Sequence, residues 1–209
     1  ATGATGSFLL NHLLNDERMD KVVVFSRKSV LNEHLKLKEY LIDFDKMDQW
    51  AKFMYGDVAI SCLGTTMKQA GSKEKQWVID FDYQYHFAEI CSKNEVKHFM
   101  LLSSMNADEN SRIFYSKMKG KLERNVKHLT FDRLDVVQPG MLIRPNSDRM
   151  GENIGVKIVC SLNSLGLLKS YRPLHVDDLG WILKELIFAN KKGTQIVSLS
   201  ELLAMLQKK

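Results

Sequence analysis

Short apolar runs alternate with longer amphipathic stretches along most of this chain. The run KVVVFSRK (residues 21–28) is β-branched and continuous, as a strand covered on both faces must be. Runs of the same kind recur at EYLIDF (39–44), DVAISCLG (57–64), KHFMLLSS (97–104), LDVVQPGML (134–142) and TQIVSL (194–199). Between them, residues 7–15, 73–94, 114–129 and 176–189 read as helices, the last opened by Asp177 and Asp178. Continuous apolar strands separated by helices predict an α/β fold, a doubly wound parallel sheet with helices on both faces.

The rhythm breaks at about residues 146–171, a stretch entered through RPNSDRMGEN (144–153) and closed by CSLNSLGLLKSY (160–171), with few strand signals. In a doubly wound fold, insertions after late strands sit above the carboxyl edge of the sheet, where ligands bind. This stretch is expected to be a small substrate-side lid. There is no internal repeat or low-complexity linker, and only three prolines, so residues 1–209 read as a single domain.

Composition narrows the function classes. The 209 residues are enough for one substantial core, and no apolar run approaches the roughly 18 residues that span a membrane. A net charge of +5 is modest and its basic residues are scattered among acids, which argues against a nucleic-acid partner. Cys62, Cys91 and Cys160 are odd in number, far apart and without metal-ligand spacing. They suit a reducing compartment, and the expected location is cytoplasmic.

The chain opens with ATGATGSFLL. Gly3, Thr5 and Gly6 would let backbone approach a pyrophosphate, and Ser7 and Phe8 begin a helix whose first N–H groups are unpaired and partly positive. Roughly 20 residues further on, a dinucleotide fold places the side chain that reads the adenosine ribose. An acid there selects NAD. Here Ser26, Arg27 and Lys28 end the strand, and the Arg27 fork with the Lys28 charge suits a 2′-phosphate, so the expected cofactor is NADP(H). Leu63, Gly64 and Thr65 offer a small-residue edge for the nucleotide, and Asp43 and Phe44 would end a strand where the adenine rests.

The reacting groups are read from MLLSSMNADENSRIFYSKMKGKLE. Of the six tyrosines, only Tyr115 has a lysine four residues later, Lys119, which puts both on one helix face. Ser103 and Ser104 end a buried strand at the same cleft. A free phenol titrates near 10, and a nearby ammonium favours phenolate and makes proton exchange easier. A serine hydroxyl would hold the substrate oxygen while hydride moves to or from nicotinamide. Either serine can serve.

Gly3-Ala4-Thr5-Gly6, the Ser26-Arg27 strand end, HFMLLSS, Tyr115-x-x-x-Lys119 and QPGML together resemble the short-chain dehydrogenase/reductase superfamily. YSKMKGKLE, FDRLDVVQPGMLIRP and RPLHVDDLG resemble its atypical branch, which includes Tat-interactive-protein-type oxidoreductases and sugar-nucleotide-epimerase-like proteins. The resemblance covers almost the whole chain. It implies a Rossmann-like domain with Ser103 or Ser104, Tyr115 and Lys119 as catalytic residues. It also implies that Pro139, Gly140, Met141 and Leu142 contact the nicotinamide side. The family loop reads Gly-x-x-Gly-x-x-Gly, so its first glycine and the strand before it would fall ahead of Ala1, which predicts an apolar gap in the sheet.

The leading expectation is an NADP(H)-dependent oxidoreductase of a small carbonyl or alcohol substrate. A sugar-nucleotide epimerase or dehydratase would use the same trio, though it usually carries a larger carboxyl-terminal substrate domain. An NADPH-sensing regulator would keep the fold and bind partners. No metal, nucleic acid or membrane is expected to take part, and the long helices could pair with a second subunit. Trp50 and Trp77 read as packing residues, Cys62 as a buried small hydrophobe, and His175 as lining the substrate end or bracing the next helix.

Overall fold

A computed structural model describes residues 1–144 and 172–209. The expected lid at 146–171 and Cys160 lie outside the described residues. The chain enters through helix α1 (Ala4–Leu14), then β1 (Val22–Ser26) and β2 (Leu37–Leu41). A 3-10 segment (Phe44–Phe53) leads to β3 (Val58–Ser61), and a single turn, α2 (Met67–Ala70), precedes α3 (Lys73–Trp77). A π-helical turn (Val78–Asp82) joins α3 to α4 (Tyr83–Lys93), so the predicted helix at 73–94 is one rod with a bulge inside it. β4 (His98–Leu102), α5 (Phe114–Lys127), β5 (Arg133–Val137), β6 (Leu142–Ile143), β7 (Leu174–His175), α6 (Val176–Phe188), β8 (Gly193–Val197) and α7 (Leu199–Leu206) follow.

Every strand pair is parallel. The larger sheet has the order β3-β4-β5-β8, with Val58 opposite His98, His98 opposite Arg133 and Arg133 opposite Gly193. β4 shows why both faces are covered. Met100 packs with Leu9, Leu13, Leu179 and Leu183 of α1 and α6, whereas its neighbours Phe99 and Leu101 pack with Leu122 and Val126 of α5. Successive strand side chains point to opposite faces, so an all-apolar strand needs helices on both. Each fully buried Leu or Phe contributes about 1.5–3 kcal/mol by leaving water. The chain therefore has the Rossmann-like α/β fold expected.

Two predicted strands differ in detail. The strand expected at 39–44 is β2, which starts two residues earlier and ends three residues earlier, because Asp43 accepts the Asp45 N–H and opens the 3-10 segment instead. The run 134–142 is divided by Pro139 and Gly140: β5 stops at Val137, and β6 pairs with β7 in a separate ladder. Among the described residues β1 and β2 form their own two-stranded sheet. A cavity of about 630 Å³ lies between it and β3, lined by Val22, Val24, Ala59, Ile60 and Leu13.

α1 and α6 pack unusually closely. A Cβ on Gly180 would sit 2.9 Å from the Leu9 backbone nitrogen, so only glycine permits this approach. The contact fixes where the first turn of α1 stands.

Candidate active site

Because the strands are parallel, their carboxyl ends share one edge, and loops there carry the candidate residues. α1 runs back against the sheet and so presents its amino end at this edge. Gly3 is its N-cap, with no side-chain cap and nothing within 4 Å of where its Cβ would be, so the first-turn N–H groups have a clear approach. Thr5 is buried, Ser7 turns its hydroxyl to the Ala4 carbonyl at 3.0 Å, and Phe8 packs under Gly180. A Cβ on Gly6 would lie 3.0 Å from the Ala1 backbone, so Gly6 lets the entering chain fold over the helix.

At the end of β1, the buried Ser26 hydroxyl donates to the Lys28 carbonyl at 2.8 Å and lies 3.1 Å from Glu39. The same Glu39 carboxylate accepts from Ser29 and from the Val30 N–H, both at 2.8 Å. Glu39 thus shapes the turn and leaves Arg27 and Lys28 exposed. Asp43 and Phe44 are placed differently from the expectation. They do not end a strand: Asp43 caps the 3-10 segment, and the Phe44 ring is buried against Tyr83 with centroids 5.4 Å apart, so that ring serves packing and offers no shelf.

The loop after β3 brings Leu63, Gly64 and Thr65 to the edge, all partly buried apart from the more open Gly64. A Cβ on Gly64 would come within 3.3 Å of Asp80 Oδ1, and the Thr65 N–H donates to Asp80 Oδ2 at 2.9 Å. On the other side of β4, the Met105 N–H donates to the Pro139 carbonyl at 2.9 Å. Gly140 is closely packed by side-chain ends: its Cβ would meet Leu199 Cδ2 at 2.8 Å and Met105 Sδ at 2.9 Å. Met141 is exposed, and Leu142 enters β6.

Tyr115 and Lys119 occupy the first turns of α5. The Lys119 side chain is buried, with its ammonium 6.0 Å from the Tyr115 ring centroid and 3.7 Å from Asp80 Oδ1. The two serines diverge. Ser103 is buried and its hydroxyl donates to Glu123 Oε1 at 2.5 Å; Gln138 donates to the same carboxylate at 2.9 and 3.1 Å. Ser103 therefore faces α5, not the cleft. Ser104 is partly buried, donates to the Met105 carbonyl at 3.0 Å, and is the serine that acts on the Tyr115 hydroxyl.

Tyr115 as a residue is 37% exposed, but desolvation at its hydroxyl end pushes the phenol up to about 12, and the Asp80 charge adds to this; hydrogen bonding with Ser104 and the Arg144 charge work the other way. Burial also pulls the Lys119 ammonium down and the Asp80 carboxyl up, and each limits the shift of the other. The site as it stands holds a protonated tyrosine over a desolvated lysine, an arrangement suited to giving a proton to a substrate oxygen. Cys62 lies near Lys119, and burial raises its thiol to about 11, which fits a small apolar residue better than a nucleophile. Trp50 packs with Tyr40 and Phe53, and Trp77 stacks on Phe81. His175 is exposed at the N-cap of α6, where its side chain makes no cap bond.

Sequence reasoning missed Asp80, Glu123, Gly120 and Arg144. Asp80 had a signal, an acid set inside the otherwise apolar WVIDF segment of a long helix. Glu123 had another, four residues after Lys119 on one face. Arg144 follows β6, and its buried Nε has no hydrogen-bond partner among the described residues.

Residues 19–171 match the HIM1 family. The Rattus norvegicus protein HTATIP2 is 36% identical over 167 residues, covering 78% of this chain and 69% of its own length. Protein FMP52, mitochondrial, of Kluyveromyces lactis is 28% identical over 218 residues, covering all of this chain and 97% of its own. In fold, the chain is similar to the oxidoreductase ylbE of Lactococcus lactis, with a TM-score of 0.67 at 19% identity over all of this chain and 94% of that one. It is also similar to MoeE5 in complex with UDP-glucose and NAD, with a TM-score of 0.70 at 14% identity over 100% and 79% of the two chains. The fold is thus that of NAD-binding oxidoreductases and epimerases. These comparisons overturn the cytoplasmic expectation, because several relatives are named mitochondrial. Widely spaced cysteines speak for a reducing compartment, and that property does not single out the cytoplasm.

Proposed function

The chain belongs to the HIM1 family, and from that premise we propose that it is a mitochondrial NADP(H)-dependent oxidoreductase of small carbonyl or alcohol substrates. The observation that carries the reading is the buried Lys119 ammonium beneath Tyr115, with Ser104 beside the phenol and the Gly64–Thr65 loop tied to the same spot through Asp80.

The residues present suit a dinucleotide. The uncapped first turn of α1, open in front of Gly3, would take the pyrophosphate. Arg27 and Lys28, exposed at the end of β1, would take a 2′-phosphate. Leu63, Gly64 and Thr65 would border the nucleotide, and the Pro139–Gly140–Met141–Leu142 turn would border the nicotinamide. A bound nicotinamide supplies or accepts the hydride.

The protein's own part is to place and move a proton. In the direction of carbonyl reduction, the Ser104 hydroxyl holds the substrate oxygen and the Tyr115 phenol gives it a proton. Lys119 stabilises the phenolate left behind. The phenol is protonated at neutral pH, and burial and the Asp80 charge hold its proton more firmly.

Fluorescence titration of the full chain with NADPH and NADH tests the cofactor assignment. NADPH should bind more tightly, and Arg27→Ala should weaken it by about 10- to 100-fold, as loss of a charged hydrogen-bond pair does, while leaving NADH almost unchanged. Preference for NADH would remove the role given to Arg27. Binding of neither would remove the oxidoreductase reading. Tyr115→Phe then separates an enzyme, which would lose turnover, from a cofactor-sensing protein, whose partner binding would persist.

A further inference from the structure

The setting of Asp80 is unusual for a carboxylate. It sits in the π-helical turn Val78–Asp82, where one extra residue in the ring widens the helix. The residue is 1% exposed. One carboxylate oxygen, Oδ1, lies 3.7 Å from Lys119 Nζ, and the other, Oδ2, accepts the Thr65 N–H at 2.9 Å. Its backbone carbonyl accepts from Gln84 Nε2 at 2.9 Å, and Gln84 Oε1 in turn accepts from the Ser61 hydroxyl at 2.9 Å at the end of β3. Gly64 leaves just enough room for Oδ1. A single carboxylate therefore holds an ammonium on α5 with one oxygen and a loop of the sheet edge with the other.

Stability alone does not account for it. Taking both charges of such a pair out of water offsets most of their attraction, and apolar residues of similar volume commonly do as well. What an apolar pair cannot do is link the lysine to the loop.

We propose that Asp80 is a positioning residue: it fixes Lys119, and through it Tyr115, relative to the Gly64–Thr65 loop, so that the proton-bearing pair and the nucleotide-bordering loop are set by one group. The proposal rests on the assignment of Tyr115 and Lys119 as the reacting pair. The charged and titratable groups around that pair are few. Lys119 feels Asp80, Glu123 on its own helix and Cys62 from the end of β3. Tyr115 feels Asp80, Arg144 after β6 and the Ser104 hydroxyl, with the Lys119 ammonium near its ring. Removing the Asp80 charge lowers the pH at which both the phenol and the ammonium lose their protons, so the two effects have the same sign.

The test is Asp80→Asn in the full chain. Tyrosinate absorbance near 295 nm is followed against pH, with a Tyr115→Phe protein subtracted to isolate Tyr115, and NADPH affinity is measured by fluorescence. The Tyr115 transition should move to lower pH, and the NADPH Kd should rise by about 3- to 10-fold, the scale of coupling between groups in contact. Asp80→Glu, which keeps the charge but not the reach, should hold the transition near its original pH while still loosening NADPH. A transition that does not move in Asp80→Asn, with NADPH affinity within about twofold, would reduce Asp80 to a packing group whatever the change in Tm.

If neither variant folds, the unaltered chain decides. The Thr65 amide and the Lys119 ε-methylene resonances should shift through one shared transition on the acid side, as Asp80 takes up its proton, because both groups contact that carboxylate; independent titration would overturn the proposal. Failure of the oxidoreductase reading looks different: the wild-type chain would bind neither NADPH nor NADH, whether or not Thr65 and Lys119 titrate together.

Discussion

The Ser103 hydroxyl donates to Glu123 across 2.5 Å, and this bond turns one of two adjacent serines away from the cleft. Glu123 lies two turns further along α5 than Tyr115, so Ser103 is committed deep along the helix and Ser104 is left beside the Tyr115 hydroxyl at its start. The two alanine variants should therefore behave differently. Ser104→Ala should lower kcat/KM for a carbonyl substrate by about 100-fold or more, the usual effect of removing a donor from a developing oxyanion. Ser103→Ala should leave kcat nearly unchanged and lower stability by about 1–2 kcal/mol, since Gln138 still donates to Glu123. Steady-state kinetics and urea unfolding measure the pair, and the reverse pattern would return the catalytic role to Ser103.

Acid stability should depend on Asp16, at the end of α1. Arg18 and Lys184 both bond its carboxylate, at 2.6–3.0 Å, and the Arg18 bond above all holds the carboxyl well below the usual range. A carboxyl depressed in the folded state contributes stability that is complete above its unfolded value, near pH 4, and is lost as the pH falls towards the folded value. The Arg18 side of the pair is solvent-exposed, so the contribution is small, about 0.5–1 kcal/mol. Asp16→Asn should thus lower Tm by a few degrees at pH 7, and the gap to wild type should narrow steadily below pH 4. A gap that stays constant down to pH 2 would show that packing, not charge, is responsible.

The thiols should be inert. Burial lifts Cys62 to about 11 and Cys91 to about 12, and for Cys62 that means roughly 100-fold less thiolate at neutral pH than in an open chain. Peptide mapping after iodoacetamide at pH 7 should recover Cys62 and Cys91 unmodified from the folded protein and modified after denaturation. Rapid labelling of folded Cys62 would mean that the edge near Lys119 is wetter and more positive than described.

Much of the fold was legible because the buried strands are largely apolar, as a sheet covered on both faces requires; β4, apolar from Phe99 to Leu102, is the clearest case, and the buried Arg133 and Asp135 of β5 pair with each other. Tyr115 and Lys119 could be paired because helical spacing converts directly into a shared face. The serines could not be separated from sequence, since the difference lies in which neighbour each meets, and Glu123 reaches Ser103 only after α5 has docked. Phe44 misled for a similar reason: the residue sits near the right edge, but its ring is drawn inward by Tyr83. Asp80 was overlooked because a lone acid in a helix ordinarily faces water, and only the π-turn brings it beneath Lys119.

Gly120 carries a last expectation that sequence alone did not suggest. It lies on α5 one residue after Lys119, where a Cβ would fall 2.2 Å from the Glu109 nitrogen and 2.3 Å from the Asp108 carbonyl carbon. Those are backbone atoms of the segment that runs from Ser104 to Tyr115, and the Asp108 N–H is itself bonded to the Ser116 carbonyl at 3.0 Å. Neither side can yield by rotating a side chain. Gly120→Ala must therefore move the segment away from the helix, at about 1–3 kcal/mol, or roughly 2–4 °C in Tm per kcal/mol for a chain of this size. The displacement falls on the residues that set Ser104 against Tyr115, so turnover should drop by at least about tenfold at temperatures where the protein remains folded. NADPH affinity should change less, because α1 and the turn after β1 do not touch Gly120. Thermal unfolding, NADPH titration and kinetics on one preparation distinguish this from general destabilisation, which would lower affinity and turnover together.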